Sequence, residues 1–138
     1  MKRAHGDYAD TGVGPYIARA NAEVAVMVQI ETREALESIA EISAVEGLDC
    51  LFIGPQDLST VIGHVDASWS DEMKRVFEKI AQAASTAGKA WGMQTTTFDQ
   101  ASYAVGQGAR YVSCASDIVM LTDRMGEVPR RIREEHLN

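Results

Sequence analysis

At 138 residues, 46% of them hydrophobic and 24% charged, the chain has the material for one folded domain with a core. This composition excludes a disordered chain, and a net charge of -7 without a basic cluster excludes nucleic acid as the main partner. The longest apolar run is too short to span a bilayer, and MKRAHGDYAD lacks the apolar stretch of a secretion signal, so a cytoplasmic protein is expected.

In chain order, Met1 to Gly14 reads as a glycine-rich loop, and Tyr16 to Asn21 as one helical turn after Pro15. Val24 to Ile30 is apolar and β-branched, fit for a strand buried on both faces as in a parallel sheet. Thr32 to Val45 repeats Ala35, Leu36, Ile39, Ile42 and Val45 at helical spacing, and Gly47 stops it. Leu51-Phe52-Ile53 is a second short strand closed by Gly54-Pro55, and Leu58 to Ile62 a short helix ended by Gly63. Ser70 caps a long helix carrying Met73, Val76, Phe77, Ile80 and Ala84, which Gly88 terminates. Lys89 to Thr96 is a third strand with a polar end, followed by a helix from Phe98 to Val105 capped by Thr97 or Thr96. Ala109 to Ser113 is a fourth strand. Asp117 to Met125 begins a final helix, and Val128 to Leu137, around Pro129, reads as a separate charged one. Cys50 and Cys114 sit in apolar, strand-like contexts and read as reduced packing residues, as Trp69 and Trp91 do.

Strand and helix alternate four times, the pattern of an α/β fold with a parallel sheet, most simply part of a (β/α)8 barrel. A complete barrel takes about 250 residues. Residues 1–138 are therefore expected to form a single partial domain, with open sheet edges that favour association.

The first two strands each lead to a carboxylate, Glu31 and Asp57, at the strand ends where parallel α/β folds carry their chemistry. Two acids on adjacent strands offer hard oxygen ligands to a divalent cation. Spacing alone also allows a plainer reading, with Glu31 as an acid opening the helix at Thr32 and Asp57 as the cap of Leu58 to Ile62.

The stretches VQIET around Glu31 and FIGPQDLS around Asp57 resemble the two C-terminal signatures of the HpcH/HpaI family of metal-dependent pyruvate aldolases, at that family's separation. The similarity continues through GKAWGMQT and YVSCASD and back to RAHGDYADTGVGPYIARAN. It covers nearly the whole chain, but only strands five to eight of the family's barrel. The resemblance implies that Glu31 and Asp57 hold Mg2+, Mn2+ or Co2+, and that pyruvate chelates the ion. It implies further that the backbone N–H groups around Gln56 and Asp57 hold the pyruvate carboxylate. Ser59 is expected to cap the short helix or to support Asp57.

The departures are as specific. The family's general base, a His beside an acid, and its pyruvate-binding Arg belong to the other half of the barrel. None of His5, His64 or His136 stands in a matching motif. Gln94, Thr95 and Thr96 are polar where the family's seventh strand ends apolar, so Gln94 is expected to line the pocket and the aldehyde preference to differ. Ala115 replaces a frequent Gly. Arg3 and Arg19 are read as surface partners of carboxylates. The last helix, Val119 to Leu137, is expected at a subunit contact, so the chain is expected to act as a homo-oligomer or with a complementary N-terminal half. The rival expectations are a non-catalytic, associating half-barrel and a citrate-lyase β-subunit-like lyase.

Overall fold

The computed structural model describes residues 12–137. The readings placed on His5, Arg3 and the loop up to residue 11 lie outside them. A four-stranded parallel sheet in the order β1-β2-β3-β4 is formed by β1 (Met27–Ile30), β2 (Cys50–Ile53), β3 (Ala90–Thr95) and β4 (Tyr111–Cys114). The strands pair in order, so every strand ends at the same edge of the sheet. One row of side chains runs Ile30, Ile53, Met93, Val112 and another Val28, Leu51, Trp91. Both rows join the core, packed against Ile39, Leu58, Met73, Phe77, Ile80, Ala84 and Ala104.

These core residues come from α3 (Ile39–Ser43), α4 (Pro55–Val61), α5 (Asp71–Thr86) and α6 (Phe98–Gly106). The helix α5 buries Met73, Phe77, Ile80 and Ala84, the positions its sequence period selects, and Ser70 caps it by accepting from Met73 N. Alternation along the strands turns Gln29, Phe52, Gly92 and Tyr111 to the opposite face. There Gln29 and Tyr111 are exposed and Phe52 is half-buried. Phe52 and Tyr111 meet edge-on at 5.6 Å above Gly92.

The observed elements correct four sequence expectations. β1 is an edge strand starting at Met27, with Val24 and Val26 exposed before it, so it is not buried on both faces. The helix expected over Thr32 to Val45 is broken at Ser38, whose φ of -92° and ψ of 18° end α2 (Arg33–Glu37) before α3 begins. α1 (Val13–Glu23) is longer than one turn and takes in Gly14, because Pro15 lies within the first turn, where its missing N–H costs no hydrogen bond. α7 (Asp117–His136) runs through Pro129 as one helix. The pairs Arg124–Glu127 and Arg131–Glu135 support it on either side of the proline. Neither α1 nor α7 buries a residue.

The two cysteines are free and differ sharply in environment. Cys50 is buried, and burial followed by the charge of Asp49 pushes its thiol above the ordinary cysteine range, while Cys114 is exposed. A maleimide at pH 8 is expected to label Cys114 about tenfold faster or more than Cys50, read by mass spectrometry of the tryptic peptides.

A Cβ at Gly92 would stand 2.4 Å from the Tyr111 carbonyl oxygen and 3.2 Å from the Phe52 ring. The Tyr111 contact is with backbone and cannot be relieved by a rotamer change. Gly92→Ala is expected to cost about 1–3 kcal/mol in urea unfolding, and an unchanged midpoint would contradict this close approach of β3 and β4.

Candidate functional site

Glu31 is the first residue after β1, and it is half-buried. The next residue, Thr32, is the one that opens α2, its hydroxyl accepting from Ala35 N at 3.1 Å. Glu34 supplies the acid of that helix's first turn. Glu31 therefore does none of the work of starting the helix. Its Oε2 instead accepts a 2.6 Å hydrogen bond from Gln29 Nε2, two residues back on the same face of the strand. Gln29 is the one polar side chain in the Val24–Ile30 run, and that isolation was a usable sequence signal for it.

Ile30 pairs with Ile53, so Glu31 and Gly54 are the next positions along two neighbouring strands. The approach is close. A Cβ on Gly54 would lie 2.6 Å from Gln29 Nε2 and 3.4 Å from Glu31 Oε2. Gly54 precedes α4 as its cap and offers no side-chain acceptor, and Pro55 takes the first helical position. The first intrahelical hydrogen bond runs from Leu58 N to Gly54 O. Asp57 thus stands inside the first turn of α4, exposed, and is not the cap of a helix beginning at Leu58.

Ser59 lies inside α4 and does not cap it. It is fully buried, and its hydroxyl donates 2.8 Å to the Gln56 carbonyl, which Thr60 Oγ1 also reaches at 2.9 Å. The Gln56 side chain itself is exposed. At the other end of α4, the Val61 carbonyl accepts from Arg33 Nη2 at 2.9 Å, a contact across 28 residues of chain that no sequence pattern announced.

Of the polar residues ending β3, only Gln94 points to the face that carries Gln29 and Gly54, opposite Ser113 in register. Thr95 is buried with its hydroxyl on the Ser113 carbonyl, and Thr96 is held by Gln100. Ala115, just past β4, has a φ of 74°, a left-handed conformation that favours glycine. His64 is half-buried, its backbone N–H donating to Ser59 O, and Arg19 pairs with Glu23 along α1.

Glu31, Gly54, Asp57 and Gln94 thus share the C-terminal edge of the sheet, on or beside its uncovered face. No cluster of three or more His, Cys, Asp or Glu side chains suited to a metal occurs among the described residues. A cavity of 510 Å³ lined by Lys89, Trp91 and Arg110 lies at the opposite edge, where the strands begin, and includes none of these residues.

The sequence matches the family described as HpcH/HpaI aldolase/citrate lyase over residues 5–123. The chain belongs to that family. It is similar to the 2-keto-3-deoxy-L-rhamnonate aldolase of Escherichia coli K12, 32% identical over 133 residues that cover 87% of this chain and 50% of that protein. Among solved structures it resembles the HpcH/HpaI aldolase of Desulfitobacterium hafniense, at a TM-score of 0.83 and 28% identity over 93% of this chain and 50% of that one. The CitE protein of Mycobacterium tuberculosis, solved in complex with magnesium and pyruvate, shares the fold at a TM-score of 0.58 and 22% identity, over 69% of this chain and 45% of that one. The chain spans about half the length of the relatives it matches. Among the described residues no helix is long and apolar enough to cross a membrane.

The contact at Gly54 yields a separable prediction. Its φ of -99° accommodates alanine, and the atom a Cβ meets first is the far end of the Gln29 side chain, which can swing away. Gly54→Ala is expected to change stability by less than about 1 kcal/mol in urea unfolding. The same substitution should release Glu31 from Gln29, read as a loss of order at the Gln29 side-chain amide by NMR.

Proposed function

We propose that this chain carries the strand-five-to-eight half of a (β/α)8 barrel whose active site is that of a divalent-metal-dependent lyase, an aldolase acting on 2-oxo acids. Glu31 and Asp57 are its metal ligands. The observation that carries this reading is the meeting of two consecutive βα units at one point. Glu31 leans on Gly54, and Asp57 follows three residues later in a helix without a side-chain cap. Thr32 spares Glu31 from helix capping, and Asp57, the acid of the first turn of α4, is exposed and open to a ligand.

The donor set fits a hard cation such as Mg2+, Mn2+ or Co2+. Two carboxylates leave most of an octahedral shell to water and substrate, which is how Mg2+ is commonly held. With Oε2 accepting from Gln29, Glu31 keeps Oε1 for the ion. A dication bound there would supply Lewis-acid stabilisation of the enolate of a 2-oxo acid such as pyruvate.

The rest is the work of the chain's own residues. Gln29 fixes the rotamer of Glu31. The backbone N–H groups of Gln56 and Asp57, early in α4, orient the substrate carboxylate, as the family resemblance implies. The Ser59 and Thr60 hydroxyls hold the Gln56 carbonyl and with it the first turn. Gln94 lines the aldehyde side. The general base and the guanidinium of the full reaction come from outside the described residues, either from a complementary half or from a second subunit.

A second reading, a non-catalytic associating half-barrel, is favoured by one observation: the described residues contain no three-residue metal cluster. Two measurements separate the readings. Mn2+ binding followed by electron paramagnetic resonance is expected to fall at least about tenfold in Glu31→Ala and Asp57→Ala, the usual scale for a lost ligand or its support. Retention of affinity in both variants would defeat the site assignment. Exchange of pyruvate methyl protons in D2O with Mn2+, abolished by Glu31→Ala, would assign enolate chemistry to this chain. Metal binding without exchange would leave the associating half-barrel.

A further inference from the structure

Resting on that reading, we infer that Arg33 is a positioning residue that sets the spacing of the two carboxylates by clamping α4 from outside. Few contacts locate α4. Within it only Leu58 and Ser59 are buried, Gly54 gives it no side-chain cap, and it makes none of the larger element contacts that bind α5 and α6 to the strands. Its C-terminal carbonyls are accounted for one by one. Leu58 O accepts from the Ile62 N–H, Thr60 O from the Gly63 N–H, and Ser59 O from the His64 N–H. Val61 O accepts from Arg33 Nη2 at 2.9 Å, the one partner that another βα unit supplies. A cation is favoured at that end of a helix.

The geometry links the two halves of the site. Arg33 opens α2 two residues after Glu31, and Val61 lies one helical turn after Asp57. The Gln29 and Gly54 contacts fix Glu31 at one end, while the guanidinium ties the base of its loop to the far end of the helix bearing Asp57. Without the clamp, α4 can rock on Leu58 and carry Asp57 away from Glu31.

The sign of the effect discriminates this role from simple charge. Arg33 is a cation near a dication site, so plain electrostatics predicts that removing it tightens metal binding. A positioning role predicts the reverse. Mn2+ affinity of the full chain is measured by electron paramagnetic resonance for Arg33→Ala and Arg33→Lys, with the folded fraction checked by circular dichroism. Asp57→Ala serves as the reference for a lost ligand. Affinity reduced about fivefold or more in folded Arg33→Ala, and less reduced in Arg33→Lys, supports the clamp. Affinity that is unchanged or tighter in Arg33→Ala, with Asp57→Ala still impaired, overturns it and leaves the ligand assignment standing. Undiminished affinity in Asp57→Ala overturns the ligand assignment and the clamp with it. If Arg33→Ala does not fold, Arg33→Met, which removes the charge but keeps an unbranched side chain, takes its place under the same criterion of sign.

Discussion

The parallel pairing of β1 with β2 in a single register is the constraint on which the rest depends. Ile30 stands opposite Ile53, and both are almost completely buried against the helices. Side chains alternate along a strand, so slipping β1 by one residue would turn Ile30 outward and bring polar neighbours into the core. The apolar row therefore fixes where Glu31 falls. Hydrophobic burial on one face, worth about 1.5–3 kcal/mol for each large aliphatic side chain, locates a carboxylate at the strand end that contributes nothing to that core.

Much of this was readable in the residues. Four strands and the helices between them follow from apolar periodicity, and the left-handed glycines Gly47, Gly63 and Gly88 each follow a helix as expected. The two carboxylates came from the wording around them, since spacing alone could not separate a ligand from a helix-opening acid. Edge position was hidden, because nothing local distinguishes a strand with two neighbours from one with a single neighbour. The break at Ser38 and the continuity through Pro129 were hidden for a related reason: each is decided by how the flanking turns sit, not by the residue alone. The Arg33–Val61 contact joins positions 28 apart and leaves no local trace.

Among the described residues, the face of the sheet opposite the helices keeps Gln29 and Tyr111 exposed. Gln29, Phe52, Gly92 and Tyr111 form one row across it, and a glycine in the third strand lets the two rings close over the backbone. The row mixes polar, aromatic and absent side chains, unlike the aliphatic row on the helix side. Two kinds of packing thus coexist on one sheet. The aliphatic face supplies stability, and the other holds the carboxylate and amide groups in the open.

Each strand of the sheet hands over to a helix, and three of those four helices begin under a hydroxyl: Thr32, Thr97 and Ser116 each accept from a backbone N–H of the first turn. The exception is the helix after β2, where glycine stands in the capping position. A Ser, Asn or Asp there would be worth roughly a few tenths of a kcal/mol to the helix over glycine. It would also fill the space that Gln29 and Glu31 now occupy. A side-chain cap for this helix and the Gln29–Glu31 contact therefore pull in opposite directions on this single residue. A directed-evolution campaign that screens on heat resistance alone should be expected to erode the site here first.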